Sequence, residues 1–244
     1  MTEHALLGAA LIFLAALLYS AVGHAGASGY LAVMALLDTA PAQMRPTALI
    51  LNIAVAAIGT VQFIRAGYFR WSLFWPFALG SIPAAYLGGQ LTLPGNWYRI
   101  IVGVVLLLSA LRFAITLRAP DVATRPVPLP AALMIGAALG FLAGLTGVGG
   151  GIFLSPVLLI AGWANLRTTA ATSVTFILAN SIAGLLAKPA AIHSVQDIAP
   201  AWIVAAVVGG LIGSHLGSRR LPSPALRGVL AVVLVAAGLK LVFA

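Results

Sequence analysis

The sequence predicts an all-α polytopic membrane protein made of two homologous halves, on three observations. Hydrophobic residues make up 62% of its 244 residues and charged residues 7%, too few polar side chains to clothe a water-soluble globule. Apolar stretches long enough to cross a bilayer, about 20 residues each, recur along the whole chain. Two glycine-rich interruptions repeat each other. Gly23-His-Ala-Gly26-Ala-Ser-Gly29-Tyr-Leu is followed by Arg45-Pro-Thr-Ala48, and Gly144-Leu-Thr-Gly147-Val-Gly149-Gly150-Gly151 is followed by Arg167-Thr-Thr-Ala170.

Eight full transmembrane helices are expected, at 5–22, 47–64, 72–92, 98–117, 130–146, 168–187, 198–217 and 224–243. The first could be mistaken for a signal peptide, but Met1-Thr-Glu-His4 lacks positive charge and its counterpart at 130–146 lies in mid-chain. Two shorter apolar pieces, 28–37 and 151–162, each follow a glycine break and read as half-helices. Irregular backbone at membrane depth survives only where protein or a polar cavity encloses it, so each break implies a polar interior. An L-P-x4-R frame also repeats, at Leu93-Pro94 to Arg99 and at Leu221-Pro222 to Arg227. The first repeat therefore takes 1–120 and the second 129–244, with a proline-rich, charged linker loop at 121–128.

Charge placement bears on orientation. If the short pieces count as crossings, each half has five and the second half is inverted relative to the first. One side then collects Arg65, Arg70, Arg118, Arg125, Arg167, Arg219, Arg220 and Arg227, while the other keeps Arg45, Arg99, Lys188 and Lys240. That asymmetry favours inverted repeats with both termini outside. Trp71, Trp75, Trp97, Trp163 and Trp202 read as interface anchors by position.

The same composition excludes several functions. A net charge of +9 is dispersed over segment ends rather than clustered, so no nucleic-acid partner is expected. No cysteine is present and the four histidines are scattered, which argues against a metal site. No nucleotide-binding or other cofactor motif appears, and no cofactor is expected. Catalysis inside the membrane would need a nucleophile, a base and an orienting group, and His24 with Ser28 lacks the third. Glu3, Asp38, Asp121 and Asp197 all sit at segment ends or in loops, so no mid-membrane carboxylate awaits a cation. The remaining partners are the lipid bilayer and an anionic or neutral small solute, and a homodimer is compatible with this reading.

Glycine-rich turns that open helices suit an anion, because free N–H groups and the positive end of the helix dipole converge there. Two such turns can face each other near the midplane. Gly147, Gly149, Gly150 and Gly151 form the stronger candidate, since backbone without Cβ atoms permits close approach; tight helix packing is the competing role. At the first turn Gly29 opens the backbone, Ser28 adds a hydroxyl, and His24 adds a titratable group suited to proton coupling. Asn52 and Asn180 are the costliest polar groups to bury without purpose, among others such as Thr172 and Ser173 that can simply bond a neighbouring helix. Arg45 and Arg167 start the helices after the breaks and are candidates for entrance or gating roles, with interfacial snorkelling as the alternative.

The stretches Ser20-Ala-Val-Gly-His-Ala-Gly-Ala-Ser-Gly-Tyr-Leu31 and Gly144-Leu-Thr-Gly-Val-Gly-Gly-Gly-Ile-Phe-Leu-Ser-Pro156 resemble those of the sulfite exporter TauE/SafE family of membrane permeases. The duplicated plan covers essentially the whole chain. The resemblance implies a multi-pass transporter of the bacterial inner membrane, moving sulfite, a sulfonate or a related organic anion. The first half departs from the family pattern, with Ala25, Ala27 and Ser28 where glycine is common and no proline matching Pro156. An anion site therefore carries over more securely to the second break. The expected function is a secondary transporter working by alternating access with proton coupling at His24. An anion channel, a non-transporting assembly subunit and, behind them, an intramembrane enzyme are the rivals.

Overall fold

The computed structural model describes residues 2–21, 23–114, 125–195, 199–219 and 224–243; linker residues 121–124, and with them Asp121, as well as Arg118, Asp197 and Arg220, lie outside these. The described residues form ten α-helices and no strand: α1 (Thr2–Ala21), α2 (Ala27–Leu36), α3 (Pro41–Arg65), α4 (Trp71–Gln90), α5 (Gly95–Ala114), α6 (Leu129–Thr146), α7 (Gly151–Ile160), α8 (Leu166–Leu186), α9 (Ala199–Arg219) and α10 (Pro224–Phe243). A 3-10 turn at Pro189–Val195, which the sequence pattern does not announce, leads from α8 towards α9. The two short helices have 10 residues each. By length and composition α3, α6 and α8 can cross a membrane, and shorter apolar stretches run through α1, α2, α5, α7, α9 and α10. Large apolar side chains on α4, α5 and α9, among them Leu79, Leu108 and Leu211, lie exposed on the outer surface, as hydrocarbon surroundings require.

Helix α3 starts six residues ahead of the expected 47, at Pro41. Proline is well suited to a helix start because its missing N–H has no intrahelical partner there. Pro46 falls in the second turn, where it removes a single backbone bond; Thr47 Oγ1 meanwhile donates to Gln43 O at 2.7 Å.

Helix pairings recur when the halves are exchanged. α4 packs along α6 as α9 packs along α1; α4 meets α8 as α9 meets α3; and α3 pairs with α8, α5 with α10. Small residues set the closest of these approaches. A Cβ on Gly136, Gly140 or Gly144 would collide with the backbone of Phe77, Ser81 or Ala85, and one on Gly209 or Gly213 with the carbonyl of Phe13 or Leu17. Gly80 meets Leu133 and Gly88 meets Phe141, so α4 and α6 run parallel. Gly59 meets Val174 whereas Gly184 meets Leu49, so α3 and α8 run antiparallel. Gly103 lies against Val242 and Gly238 against Leu107, which makes α5 and α10 antiparallel as well.

Contacts between chain-distant residues define two ends of the bundle. At one, Arg167 Nη1 donates to Tyr68 Oη at 2.6 Å and Arg125 N to Gly162 O at 3.0 Å, close to the α3–α4 turn between Arg65 and Arg70. At the other, Arg45 reaches the C-terminal end of α4, Lys188 bonds Thr92, and Lys240 pairs with Asp38 at 2.9 Å and donates to Leu36 O at 3.1 Å. α2 therefore ends at the second end and α7 at the first, so the hairpins α1–α2 and α6–α7 enter the bundle from opposite ends. Trp202, read from sequence as an interface anchor, is instead buried with its ring over Gly8, where the absent Cβ makes room.

Candidate functional site

Each hairpin turns on glycines of left-handed backbone. Gly23 and Gly147 follow the long helices with φ of 80° and 86°, and Gly26 and Gly150 open the short helices with φ of 107° and 76°. L-residues with side chains rarely adopt this region. The backbone thus pairs Gly23 with Gly147, three residues off a register read from the first glycine of each motif.

The two tips do not face each other. Gly23 lies against Ala170 near the start of α8, and Gly147 against Arg45 near the start of α3. With α3 and α8 antiparallel, Ala170 lies level with Phe63, far along α3 from Arg45, so the tips are roughly 27 Å apart along the bundle at about 1.5 Å per residue. What meets in between is the ground just after the tips. Gly151, the first residue of α7, packs on Ile177 and the Ser173 carbonyl in the middle of α8. His24 reaches across from the first turn.

A buried polar chain forms at this crossing. His24 Nε2 lies 3.0 Å from Ser155 Oγ on α7, which lies 2.9 Å from Ser173 Oγ on α8 and 3.1 Å from Gly151 O. His24 is a candidate from sequence; Ser173 is one of the polar groups expected simply to bond a neighbouring helix, as it does here with Ser155 on α7. Ser155 is not a candidate from sequence, although its place one helical turn after Gly151 puts it on the same face of α7 as the glycine turn.

The other predicted residues make separate contacts. Asn52 Nδ2 donates to Gly147 O at 3.2 Å, and Tyr98 Oη donates to Thr146 O at 3.0 Å, so carbonyls at the second tip are held by helices of the first half. Ser28 Oγ donates to Tyr19 Oη at 2.9 Å, while Tyr30 Oη donates to Ala25 O at 2.6 Å. Gly29 packs against Tyr19 and Ala15. Gly149 lies against Ile177 and Asn52, and Gly150 against Phe176 and Leu139 O. Arg45 donates from Nη1 to Leu91 O at 2.9 Å and from Nη2 to Gly89 O at 3.0 Å, capping α4. Arg167 also lies over the Tyr68 ring, 5.1 Å from its centroid.

Several interior polar atoms have no hydrogen-bond partner among the described residues. Asn180 is fully buried and neither its Oδ1 nor its Nδ2 is matched; Asn52 Oδ1, Thr172 Oγ1 and Ser181 Oγ are in the same condition. An unmade buried hydrogen bond costs about 1–3 kcal/mol, so this much unused capacity along α3 and α8 is costly for packing alone. The N–H groups of Gly151 and Ile152, at the start of α7, precede the first backbone-bonded amide, Phe153 N to Gly150 O at 3.1 Å. These groups are of several kinds: backbone donors, hydroxyls, amides and one imidazole.

Residues 8–241 match the family described as sulfite exporter TauE/SafE. The chain belongs to that family. A protein of Sinorhizobium fredii named "probable membrane transporter protein y4hK" is 44% identical over 235 residues, covering 95% of each chain. At greater distance, "probable membrane transporter protein YunE" of Bacillus subtilis is 22% identical over 226 residues, 84% of this chain and 82% of that protein. No solved structure matches. Membership of the TauE/SafE family, together with the apolar helices, makes the chain a membrane protein of a transporter family.

Proposed function

We propose that the chain is a multi-pass secondary transporter of the bacterial inner membrane that moves a small anion, sulfite or a sulfonate, by alternating access. The observation that carries this reading is the crossing of the two hairpins at His24, Ser155 and Ser173, in an interior that also holds buried amides and hydroxyls without partners among the described residues. Two short helices start nearby, and their N-terminal dipoles favour negative charge. His24 is the group in this interior suited to carry a coupling proton. The names of the relatives, both membrane transporters, agree with this.

Alternating access follows from inverted halves. The antiparallel pairs α3–α8 and α5–α10, and hairpins that enter from opposite ends, are the relation expected of repeats inverted about an axis in the membrane plane. Arg65, Arg70, Arg125 and Arg167 gather at one end, which we assign to the cytoplasm. Rocking of one half against the other would then expose the crossing to each side in turn.

Purified protein in proteoliposomes tests the reading. Saturable uptake of sulfite or a small sulfonate, accelerated by the same anion preloaded on the far side, is the expected outcome. Non-saturating flux without counterflow would make the protein a channel, and no anion flux at all would overturn the reading.

A further inference from the structure

The polar chain at the crossing has no counterpart in the other half. In the register of the turn glycines, set by Gly23 with Gly147 and Gly26 with Gly150, His24 corresponds to Val148 and Ser155 to Leu31. In the register of Arg45-Pro-Thr-Ala48 with Arg167-Thr-Thr-Ala170, Ser173 corresponds to Leu51; in that of the glycines it falls on Leu49. Val148, Leu31, Leu49 and Leu51 are all buried. The same fold thus closes this place once with aliphatic side chains and once with a histidine and two serines. Packing does not require the polar set, since buried polar groups must find partners that aliphatic ones do not need.

Ser155 is the junction of that set. Its Oγ has three neighbours, His24 Nε2, Ser173 Oγ and Gly151 O, and one hydrogen to donate. Gly151 O can only accept. Whether Nε2 donates or accepts depends on the imidazole's protonation state.

We propose that Ser155 is a positioning residue that relays the charge state of His24 to the second glycine turn. When the neutral ring carries its proton on Nδ1, Nε2 accepts the Ser155 hydrogen. When a proton from solvent arrives on Nε2, that nitrogen becomes the donor, and Ser155 turns its hydrogen to Gly151 O at the start of α7 or to Ser173 on α8. No heavy-atom bond changes: one proton binds the ring and one hydroxyl rotates. The relay rests on the reading of His24 as the coupling group. Among the described residues of the first hairpin, the titratable side chains beside the turn are the phenols of Tyr19 on α1 and Tyr30 on α2, bonded to Ser28 and to Ala25 O. α7 and α8 present serines, and the charged side chains of α3 and α8, Arg45, Arg65 and Arg167, lie towards the helix ends.

Nitrogen-15 imidazole spectra of the detergent-solubilised full chain, with His24 assigned by its disappearance in His24→Gln, test the relay without any transport measurement. Neutral His24 should carry its proton on Nδ1. Ser155→Ala should lower its titration midpoint by about half a pH unit or more, because a hydrogen bond to the charged ring is the stronger one. Ser155→Thr, which keeps the hydroxyl, should restore the wild-type midpoint. In proteoliposomes the pH profile of anion flux should shift with Ser155→Ala and return towards wild type with Ser155→Thr. A neutral ring protonated on Nε2, or a Ser155→Ala midpoint equal to wild type, overturns the relay even if anions are transported. The expected spectra in a protein that moves no anion would instead overturn the transport reading and leave the relay standing.

Discussion

Gly26 and Gly150 hold the same place in the two halves, each with positive φ and each opening a ten-residue helix, yet their surroundings differ in kind. Around Gly26 the bonds are made by local side chains: Tyr30 to Ala25 O, Ser28 to Tyr19, and His24 outwards to Ser155. Around Gly150 the turn is almost bare backbone, and its carbonyls are met by Asn52 and Tyr98 from the opposite half. Two turns alike in backbone are in this way held differently. The first turn carries titratable chemistry and ties it down locally. The second keeps its backbone open at the cost of depending on distant helices.

The most severe way to probe this difference is Gly150→Val. The substitution places a β-branched residue at a φ of 76°, with its Cβ 3.0 Å from Phe176 Cε1 and 3.1 Å from Leu139 O. The backbone strain alone is about 1–2 kcal/mol, and neither a packed ring nor a helix carbonyl yields easily. Transport should fall to background and Tm by about 4 °C or more, with insertion into the membrane retained. Wild-type flux in this variant would show that the turn serves neither solute nor packing.

A smaller contrast comes from removing one hydrogen bond at each turn. Asn52→Ala leaves Gly147 O buried without its donor, at an expected loss of about 1–3 kcal/mol. Ser28→Ala removes the donor to Tyr19 Oη in a region held also by Tyr30, and about 1 kcal/mol is expected. Thermal unfolding in detergent should rank Asn52→Ala well below Ser28→Ala. Equal losses would erase the distinction between a turn braced from afar and one braced by its neighbours.

The sequence makes the long helices legible because apolar length is a local property; α10 starts and ends at the expected 224 and 243. The short helices are equally legible, since glycine breaks cannot be hidden in an apolar segment. What local pattern cannot supply is a partner. Ser155 in Gly151-Ile-Phe-Leu-Ser-Pro156 looks like one more small residue for helix packing until His24, 131 residues away in sequence, lies against it. Arg45 reads as a basic residue at an interface, and only the fold brings the final carbonyls of α4 within its reach. Trp202 fails as an anchor for a related reason: Gly8, on a helix from the other half, leaves the space that buries it. The tips of the two turns pass each other because the hairpins enter from opposite ends, a relation that no single motif contains.

Asn180 gives the subtlest effect and the clearest separation of stability from function. Its amide is fully buried, and neither its oxygen nor its nitrogen has a partner among the described residues, so the fold gains little from it. Asn180→Leu keeps the side-chain size while removing two polar atoms whose burial is unfavourable. Such an exchange is expected to be neutral or stabilising by about 1 kcal/mol, a rise in Tm of about 2–4 °C. If the amide serves the solute, however, the stabilisation that sulfite or a small sulfonate confers on the wild type should shrink, because ligand binding raises Tm only through the affinity of the folded state. Thermal unfolding with and without the anion measures both effects in one preparation. A variant that unfolds at lower temperature yet responds fully to the anion would make Asn180 a structural residue, and would confine the solute to the glycine turns and the His24–Ser155–Ser173 chain.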